Sequence, residues 1–354
     1  MIELDSSRRL AADIGIALAG RDISFVEDML SNSNIDWAYL LYFCDVHGLF
    51  GLLHTSISGI DDARIPLRAA AMITREVDRQ NKRWNALSEM LVTLMDAVKN
   101  NTEVPILLKG AALKLTVYKD SPEQRQIGDV DILVSSEDAE SYCSVLKQHG
   151  YLLRQGKNGY TAINNNTLAG RLVVDVHVDD TSKMNRNPKA VYHAFKETSL
   201  DPTNDSWGYR QPSFEMTFLH GCKHFCEHMD DFRKVLVQDD IRLFRLTDLI
   251  LLIPHVNRSR ALTLAKKLGW ENELARAIGY LRGIKEITEG WPYLYPEFDS
   301  IDTPFGVKNW PWSFNERIRR LDQDQWMARE LGPTGARSNW YTGSQGAKTP
   351  ECEM

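Results

Sequence analysis

The sequence of 354 residues has few cysteines, no long hydrophobic run and no run of basic residues. Its cysteines are odd in number and scattered, at positions 44, 143, 222, 226 and 352, which argues against the disulfide framework of a small secreted domain. No apolar run approaches the roughly 20 residues that a membrane-spanning helix needs. The first residues lack the basic-then-apolar layout of a signal peptide. We therefore expect a cytoplasmic protein with no membrane partner.

Basic charge is also in deficit, because the formal net charge is −6. Proteins that bind long nucleic acids usually carry a basic stripe whose contacts release counterions from the phosphates. Without such a stripe, we do not expect a long nucleic acid as a partner. The length allows a sizeable core, in two domains or in one elaborated domain.

The most informative stretch is residues 104–134, VPILLKGAALKLTVYKDSPEQRQIGDVDILV. Its first apolar run ends in Lys-Gly, and its second opens with Asp129 and Asp131. Because side chains alternate along a strand, these two aspartates share one face at a spacing of about 6–7 Å. The other face, directed toward a core, carries Val130, Ile132 and Val134. Paired carboxylates repel each other unless a cation lies between them, so the pair suggests Mg²⁺.

Leu108-Lys109-Gly110, Arg125 and Gly128-Asp129-Val130-Asp131, in this order, resemble the pattern of the bacterial uncharacterised nucleotidyltransferases. This family belongs to the DNA polymerase β-like nucleotidyltransferase superfamily, and the resemblance covers about residues 40–290. It implies an α+β fold in which a small mixed β-sheet is embedded between N-terminal and C-terminal helical regions. Ala111 stands where the superfamily has a serine, so no hydroxyl is available there for a phosphate. The gap between Gly110 and Asp129 is also longer than in most of the superfamily.

The resemblance implies roles for the residues of this pattern. Asp129 and Asp131 would bind Mg²⁺ or Mn²⁺, with the bound triphosphate completing the octahedral shells. Lys109 and Gly110, at the turn after the first strand, would bind phosphates of the nucleotide. Arg125 offers a planar fork of donors for the β and γ oxygens of ATP or another NTP.

A third metal ligand is expected on the alternating segment 171–179, RLVVDVHVD, because the superfamily places a carboxylate on such a strand. Asp175 is the favoured candidate, since it lies inside the apolar alternation, where a core would fix the backbone. Asp179, at the fraying end of the run, is the alternative. His177 lies between them and could remove a proton or contact the acceptor.

The segment HGCKHFCEHM is rich in residues that bind metals, and they could bind one ion only if they shared a helix face. At helical spacing, one apolar stripe is formed by Phe214, Phe218, Cys222, Phe225 and Met229. The opposite flank carries His220, His224 and His228. His220 and His224 are candidate contacts for the acceptor or the cleft, and an exposed face is the alternative.

Composition and periodicity, together with the resemblance, divide the chain into five regions. Residues 1–100 read as helical, and residues 101–180 as the nucleotidyltransferase α/β core. Residues 181–212 are polar and rich in turns, which indicates a linker or substrate loop. Residues 213–332 read as a C-terminal helical domain, and residues 333–354 as a flexible tail.

The expected reaction moves a nucleoside monophosphate from an NTP to an acceptor, with release of pyrophosphate. The acceptor would be a hydroxyl or phosphate of a small molecule or peptide. One alternative is nucleotidylylation of a protein, resembling AMPylation. Another is a catalytically silent nucleotide-binding protein that acts as a regulatory or antitoxin-like partner.

Overall fold

The computed structural model describes residues 6–32, 34–58, 60, 64–100, 102–156, 159–178, 188–202, 207–230 and 242–287. The predicted tail at 333–354 and the last part of the predicted C-terminal helical domain lie outside these ranges. Within them, no helix is long and apolar enough to cross a membrane.

The N-terminal region is helical, as predicted. Its helices are α1 (Ser6–Gly20), α2 (Ile23–Asn32), α3 (Trp37–His47), α4 (Phe50–Ile57) and α5 (Leu67–Val98). Helix α5 is strongly amphipathic, and its apolar stripe is buried: Ile73, Val77, Trp84, Leu87, Leu91, Leu94 and Val98. Because α5 is about 48 Å long at 1.5 Å per residue, it reaches from the helical region across the sheet.

The centre of the chain forms a mixed five-stranded sheet, which confirms the predicted fold class. Its strands are β1 (Ile106–Leu108), β2 (Val130–Val134), β3 (Leu152–Gly156), β4 (Gly159–Thr167) and β5 (Gly170–Val178). They lie in the order β1-β2-β5-β4-β3. Strand β2 pairs parallel with β5, while the other neighbours pair antiparallel. Helices α6 (Lys109–Lys114) and α7 (Ala139–Gln148) follow β1 and β2.

The alternation predicted for 171–179 is observed in β5. Leu172, Val174 and Val176 are buried against α5 and α7. The intervening Asp175 and His177 point to the other face, because strand side chains alternate. Asp179 lies outside the described residues.

The rest of the described chain is helical. The helices are α8 (Pro188–Thr198), α9 (Phe214–Asp230), α10 (Leu243–Leu252), α11 (Arg258–Leu268) and α12 (Glu271–Ile287). They share one continuous core with α1–α4 and the start of α5, whereas a second core lies between the sheet, α7 and the remainder of α5.

Helix α8 lies where the sequence predicts a linker or substrate loop. It forms because three apolar side chains in an otherwise polar stretch are fully or nearly fully buried: Val191, Ala194 and Phe195. Part of the polar segment thus forms a helix that packs into the helical core.

Candidate active site

Two of the predicted carboxylates lie side by side on adjacent strands. In the parallel pairing of β2 and β5, Asp131 is in register with Asp175. Asp129 immediately precedes β2, two residues before Asp131, and keeps solvent-exposed surface. The sheet therefore brings all three predicted metal ligands to one edge.

Asp131 is the most constrained of the three. It is 2% exposed, and its Oδ1 atom accepts from Lys109 Nζ at 2.5 Å and contacts His177 Nε2 at 2.7 Å. Burial alone would raise the pKa of Asp131, but the Lys109 ammonium and the His177 contact bring it well below its usual range. Asp131 is thus an anion held between two partners.

Asp129 and Asp175 have the opposite electrostatic character. The pKa of each is raised, first because neighbouring protein atoms reduce the hydration of its carboxyl, and second because Asp131 is a nearby anion. Thr161 donates to the Asp175 carboxyl, yet the other oxygen, Oδ1, is buried without a hydrogen-bond partner. A bound cation would offset the repulsion between these carboxylates and would give the unpartnered oxygen a partner.

The donor chemistry of these residues fits a hard divalent cation, because Mg²⁺ prefers carboxylate oxygens. Within the described ranges, however, no three His, Cys, Asp or Glu side chains are already arranged around a common metal position. The Lys109 ammonium instead makes the cationic contact with Asp131.

Lys109 owes its position to an unusual backbone. It follows β1 directly and begins α6 with φ of +47°, a left-handed conformation that is uncommon for a residue other than glycine. Such a conformation costs about 1–3 kcal/mol and persists where the surrounding structure enforces it. Here it places Lys109 at the end of β1, within reach of the carboxylate on β2.

Arg125 is anchored by an ion pair that the sequence did not reveal. Its Nε atom donates to both carboxyl oxygens of Asp248 on α10, at 2.8 and 3.0 Å, and Tyr118 also donates to Asp248. Burial raises the pKa of Asp248, and the Arg125 charge offsets part of that increase. The guanidinium also lies 4.2 Å from the centre of the Phe244 ring. Arg125 is therefore fixed in place, with its Nη2 atom directed toward Gly110.

A cleft of about 450 Å³ lies between the sheet edge and helices α5, α9 and α10, within the size range of small-molecule sites. It is lined by most of the predicted site residues: Lys109, Gly110, Arg125, Asp129, Asp131, His220 and His224. Asp175, in register with Asp131, and His177, in contact with it, are not among the lining residues. The cleft lining also includes polar and charged residues that belong to none of the sequence motifs, among them Gln80, Arg83, Arg242 and Arg245.

The histidines of α9 form one wall of this cleft. His220 is 5% exposed, and burial together with the Lys109 charge lowers its pKa to about 3. The pKa of His224 is likewise well below its usual value, chiefly because of burial. Both imidazoles are therefore neutral near pH 7.

His224 Nε2 lies 3.2 Å from His228 Nε2, and a guanidinium nitrogen of Arg245 lies 3.5 Å from the same His228 atom. On the other side of α9, four members of the predicted apolar stripe, Phe218, Cys222, Phe225 and Met229, are buried, and Phe214 is partly buried.

The mixed sheet, the carboxylates on β2 and β5 and the turn with Lys109 define the class of the protein as a nucleotidyltransferase. The family model described as "Uncharacterised nucleotidyltransferase" matches residues 33–284. Since this match spans more than half of the chain, the protein belongs to that family.

Comparison with solved structures finds distant likenesses to other nucleotidyltransferases. The crystal structure of ANT(2")-Ia in complex with adenylyl-2"-tobramycin is 11% identical with a TM-score of 0.38, over 53% of this chain and 99% of that one. The solution structure of ANT(2'')-Ia is 12% identical with a TM-score of 0.35, over 59% and 98%. The Megavirus polyadenylate synthase is 10% identical with a TM-score of 0.29, over 85% and 56%. No curated protein matches the chain.

Proposed function

We propose that this nucleotidyltransferase moves a nucleoside monophosphate from an NTP to a small-molecule or peptide acceptor in the presence of Mg²⁺ or Mn²⁺. The acceptor would offer a hydroxyl or a phosphate, and pyrophosphate would leave. The observation that carries the proposal is the register of Asp131 with Asp175, with Asp129 two residues before Asp131.

Asp129, Asp131 and Asp175 are the residues that would hold the divalent cation. When bound, such a cation neutralises charge that develops on the attacking, leaving and equatorial oxygens during phosphoryl transfer. The unpartnered Oδ1 of Asp175 supports this assignment, because an isolated buried carboxylate oxygen is costly without a cation or donor.

The nucleotide would bind at the turn after β1. Lys109 supplies a compact positive charge there, and Arg125 Nη2 lies near Gly110. We expect Lys109 to bind phosphate oxygens when the nucleotide is present. Asp248 holds the Arg125 guanidinium in a fixed orientation, so little side-chain entropy is lost on binding.

The acceptor would bind on the α9 side of the cleft. His220 and His224 are neutral imidazoles there, and each can both donate and accept a hydrogen bond. This chemistry suits a hydroxyl, which also donates and accepts. Asp175 is the favoured candidate to receive the acceptor proton, and His177, whose Nε2 lies against Asp131, is the alternative.

Incubation with each NTP, Mg²⁺ and a panel of alcohols, sugar phosphates and peptides tests the proposal. Mass spectrometry should detect an acceptor heavier by one nucleoside monophosphate, together with released pyrophosphate. Asp131→Asn removes the carboxylate that lies in register with Asp175 and should abolish turnover. Asp120→Asn, an exposed aspartate outside the cleft, is the matched control and should retain full activity. A fully active Asp131→Asn enzyme would contradict the proposal.

A further inference from the structure

Gln80 on α5 presents a hydrogen-bond acceptor that nothing in the described chain uses. Its side chain is 7% exposed, and its Nε2 atom donates to Glu76 Oε1 at 3.1 Å. Glu76 is itself held by two hydrogen bonds from Arg79. Because a carboxylate can only accept, the Gln80 amide cannot be turned around without losing this contact. The Oε1 atom is therefore a fixed acceptor, and it is buried without a partner.

A buried donor that also lacks a hydrogen-bond partner lies one turn further along the helix. Arg83 donates from Nη2 to the carbonyl oxygen of Gly128 at 2.5 Å, while its Nε atom is buried without a partner. Residues three apart on a helix share one face, so the Gln80 and Arg83 side chains leave α5 on the same side. Both side chains line the cleft. A buried polar atom without a partner destabilises the protein, so a ligand that satisfied both atoms would gain affinity.

The position of this pair relates it to the nucleotide rather than to the acceptor. Arg83 contacts Gly128, the residue before Asp129, and the neighbouring Ile127 packs within about 4 Å of Gly110. The pair thus lies on the side of Lys109 and Gly110, whereas the α9 histidines line another wall. The same cleft also presents the apolar side chains of Leu113 and Ile127.

We propose that Gln80 Oε1 and Arg83 Nε bind the base of the NTP, as an acceptor and a donor for one edge of the ring. Every nucleobase carries a donor beside an acceptor on a flat ring with apolar faces, which matches a polar pair in a cleft that also has apolar walls. This inference rests on the proposed function, and it adds a base site that is separate from the phosphate contacts.

Titration calorimetry with Mg²⁺ tests the site with ligands that do or do not carry a base. The ligands are the four NTPs and ribose 5-triphosphate, which has the sugar and phosphates alone. The wild-type protein should bind at least one NTP about tenfold more tightly than ribose 5-triphosphate. Gln80→Leu should weaken binding of that NTP about five- to tenfold and leave ribose 5-triphosphate unchanged.

Gln155→Leu is the matched control, because Gln155 is exposed on β3 and away from the cleft, and it should bind both ligands like the wild type. Arg83→Lys keeps the positive charge but removes Nε, so it should show the same selective loss even if Gln80→Leu folds poorly. Circular dichroism establishes folding of each variant. Equal losses for NTP and ribose 5-triphosphate, or no loss for either variant, would overturn the base site. Failure of the wild type to bind any of these triphosphates would instead overturn the proposed function, and the base site with it.

Discussion

At the scale of single residues, the carboxylate cluster combines one satisfied anion with two destabilised ones. Asp131 is stabilised by Lys109 and His177, whereas Asp175 retains an unpartnered buried oxygen and a raised pKa. An arrangement that destabilises the folded protein without a cation is typical of a site built for a ligand. This gives Asp175 a measurable signature in stability as well as in activity.

The first prediction is that Asp175→Asn stabilises the metal-free protein while it impairs the site. An asparagine removes the negative charge beside Asp131, and its amide NH₂ can take the place of the unpartnered oxygen. The free energy of unfolding at pH 7 should rise by about 1 kcal/mol, the lower cost of an unsatisfied buried group. Urea denaturation in EDTA measures this difference.

The pH dependence of that difference provides the check. The pKa of Asp175 in the folded protein is raised above its ordinary value of 3.8. Protonation of Asp175 therefore stabilises the folded state fully below pH 3.8, and this stabilisation is lost as the pH rises through the pKa of the folded state. The advantage of the variant should therefore be largest at pH 7 and shrink toward pH 4. Millimolar Mg²⁺ should raise the Tm of the wild type more than that of the variant. An Asp175→Asn protein that is less stable than the wild type at pH 7 in EDTA would refute this account.

At the scale of elements, helices α5, α9 and α10 bring side chains to the cleft, and α8 supports one of them. Helix α5 extends from the helical core across the sheet and carries Gln80 and Arg83 to the cleft. Helix α9 carries the histidines, and α8 packs behind them through Phe195, whose ring makes an edge contact with His220 at 5.3 Å between centroids. The helix within the predicted linker thus supports a wall of the cleft.

The second prediction concerns this support from α8. Phe195 is fully buried, so Phe195→Ala should lower the free energy of unfolding by about 3–5 kcal/mol through lost apolar contacts and a cavity. Leu200→Ala, just after α8 and 57% exposed, should change it by less than about 0.5 kcal/mol. Urea denaturation of both variants makes the comparison. Similar small effects for both would mean that residues 188–198 behave as a linker.

At the scale of the whole molecule, charge is distributed unevenly. The chain carries a formal net charge of −6, yet the cleft is lined by five basic side chains, Arg83, Lys109, Arg125, Arg242 and Arg245, against three acidic ones, Asp129, Asp131 and Asp248. Positive charge concentrated in a small concave site attracts a compact anion such as a triphosphate. An overall negative surface disfavours a long polyanion, since many phosphates would lie beyond the cleft.

The third prediction is therefore that long nucleic acids bind weakly. At 150 mM salt, fluorescence anisotropy with labelled single-stranded RNA and duplex DNA should give dissociation constants no tighter than about 10 μM, within the range of non-specific association. An NTP bound under the same conditions serves as the positive control. Submicromolar binding of either polymer that persists at this salt concentration would show that the acceptor class is wrong.

The sequence alone was sufficient to predict the features that depend on residues close together in the chain. Alternation of apolar and polar side chains located β2 and β5 and the face that carries Asp131 and Asp175, and helical spacing separated the core stripe of α9 from its histidines. These patterns are readable because the period of a strand or helix decides which side chains share a face. The motif that opens at Leu108 was sufficient to indicate the family.

Only the tertiary structure decided the contacts between distant segments. Arg125 meets Asp248, 123 residues away, and α5 delivers Gln80 and Arg83 to a cleft formed mainly by later parts of the chain. Buried Phe195 turned a polar stretch into a helix. Periodicity carries no information on which elements pack together, because that depends on how whole faces fit and on how loops close between them.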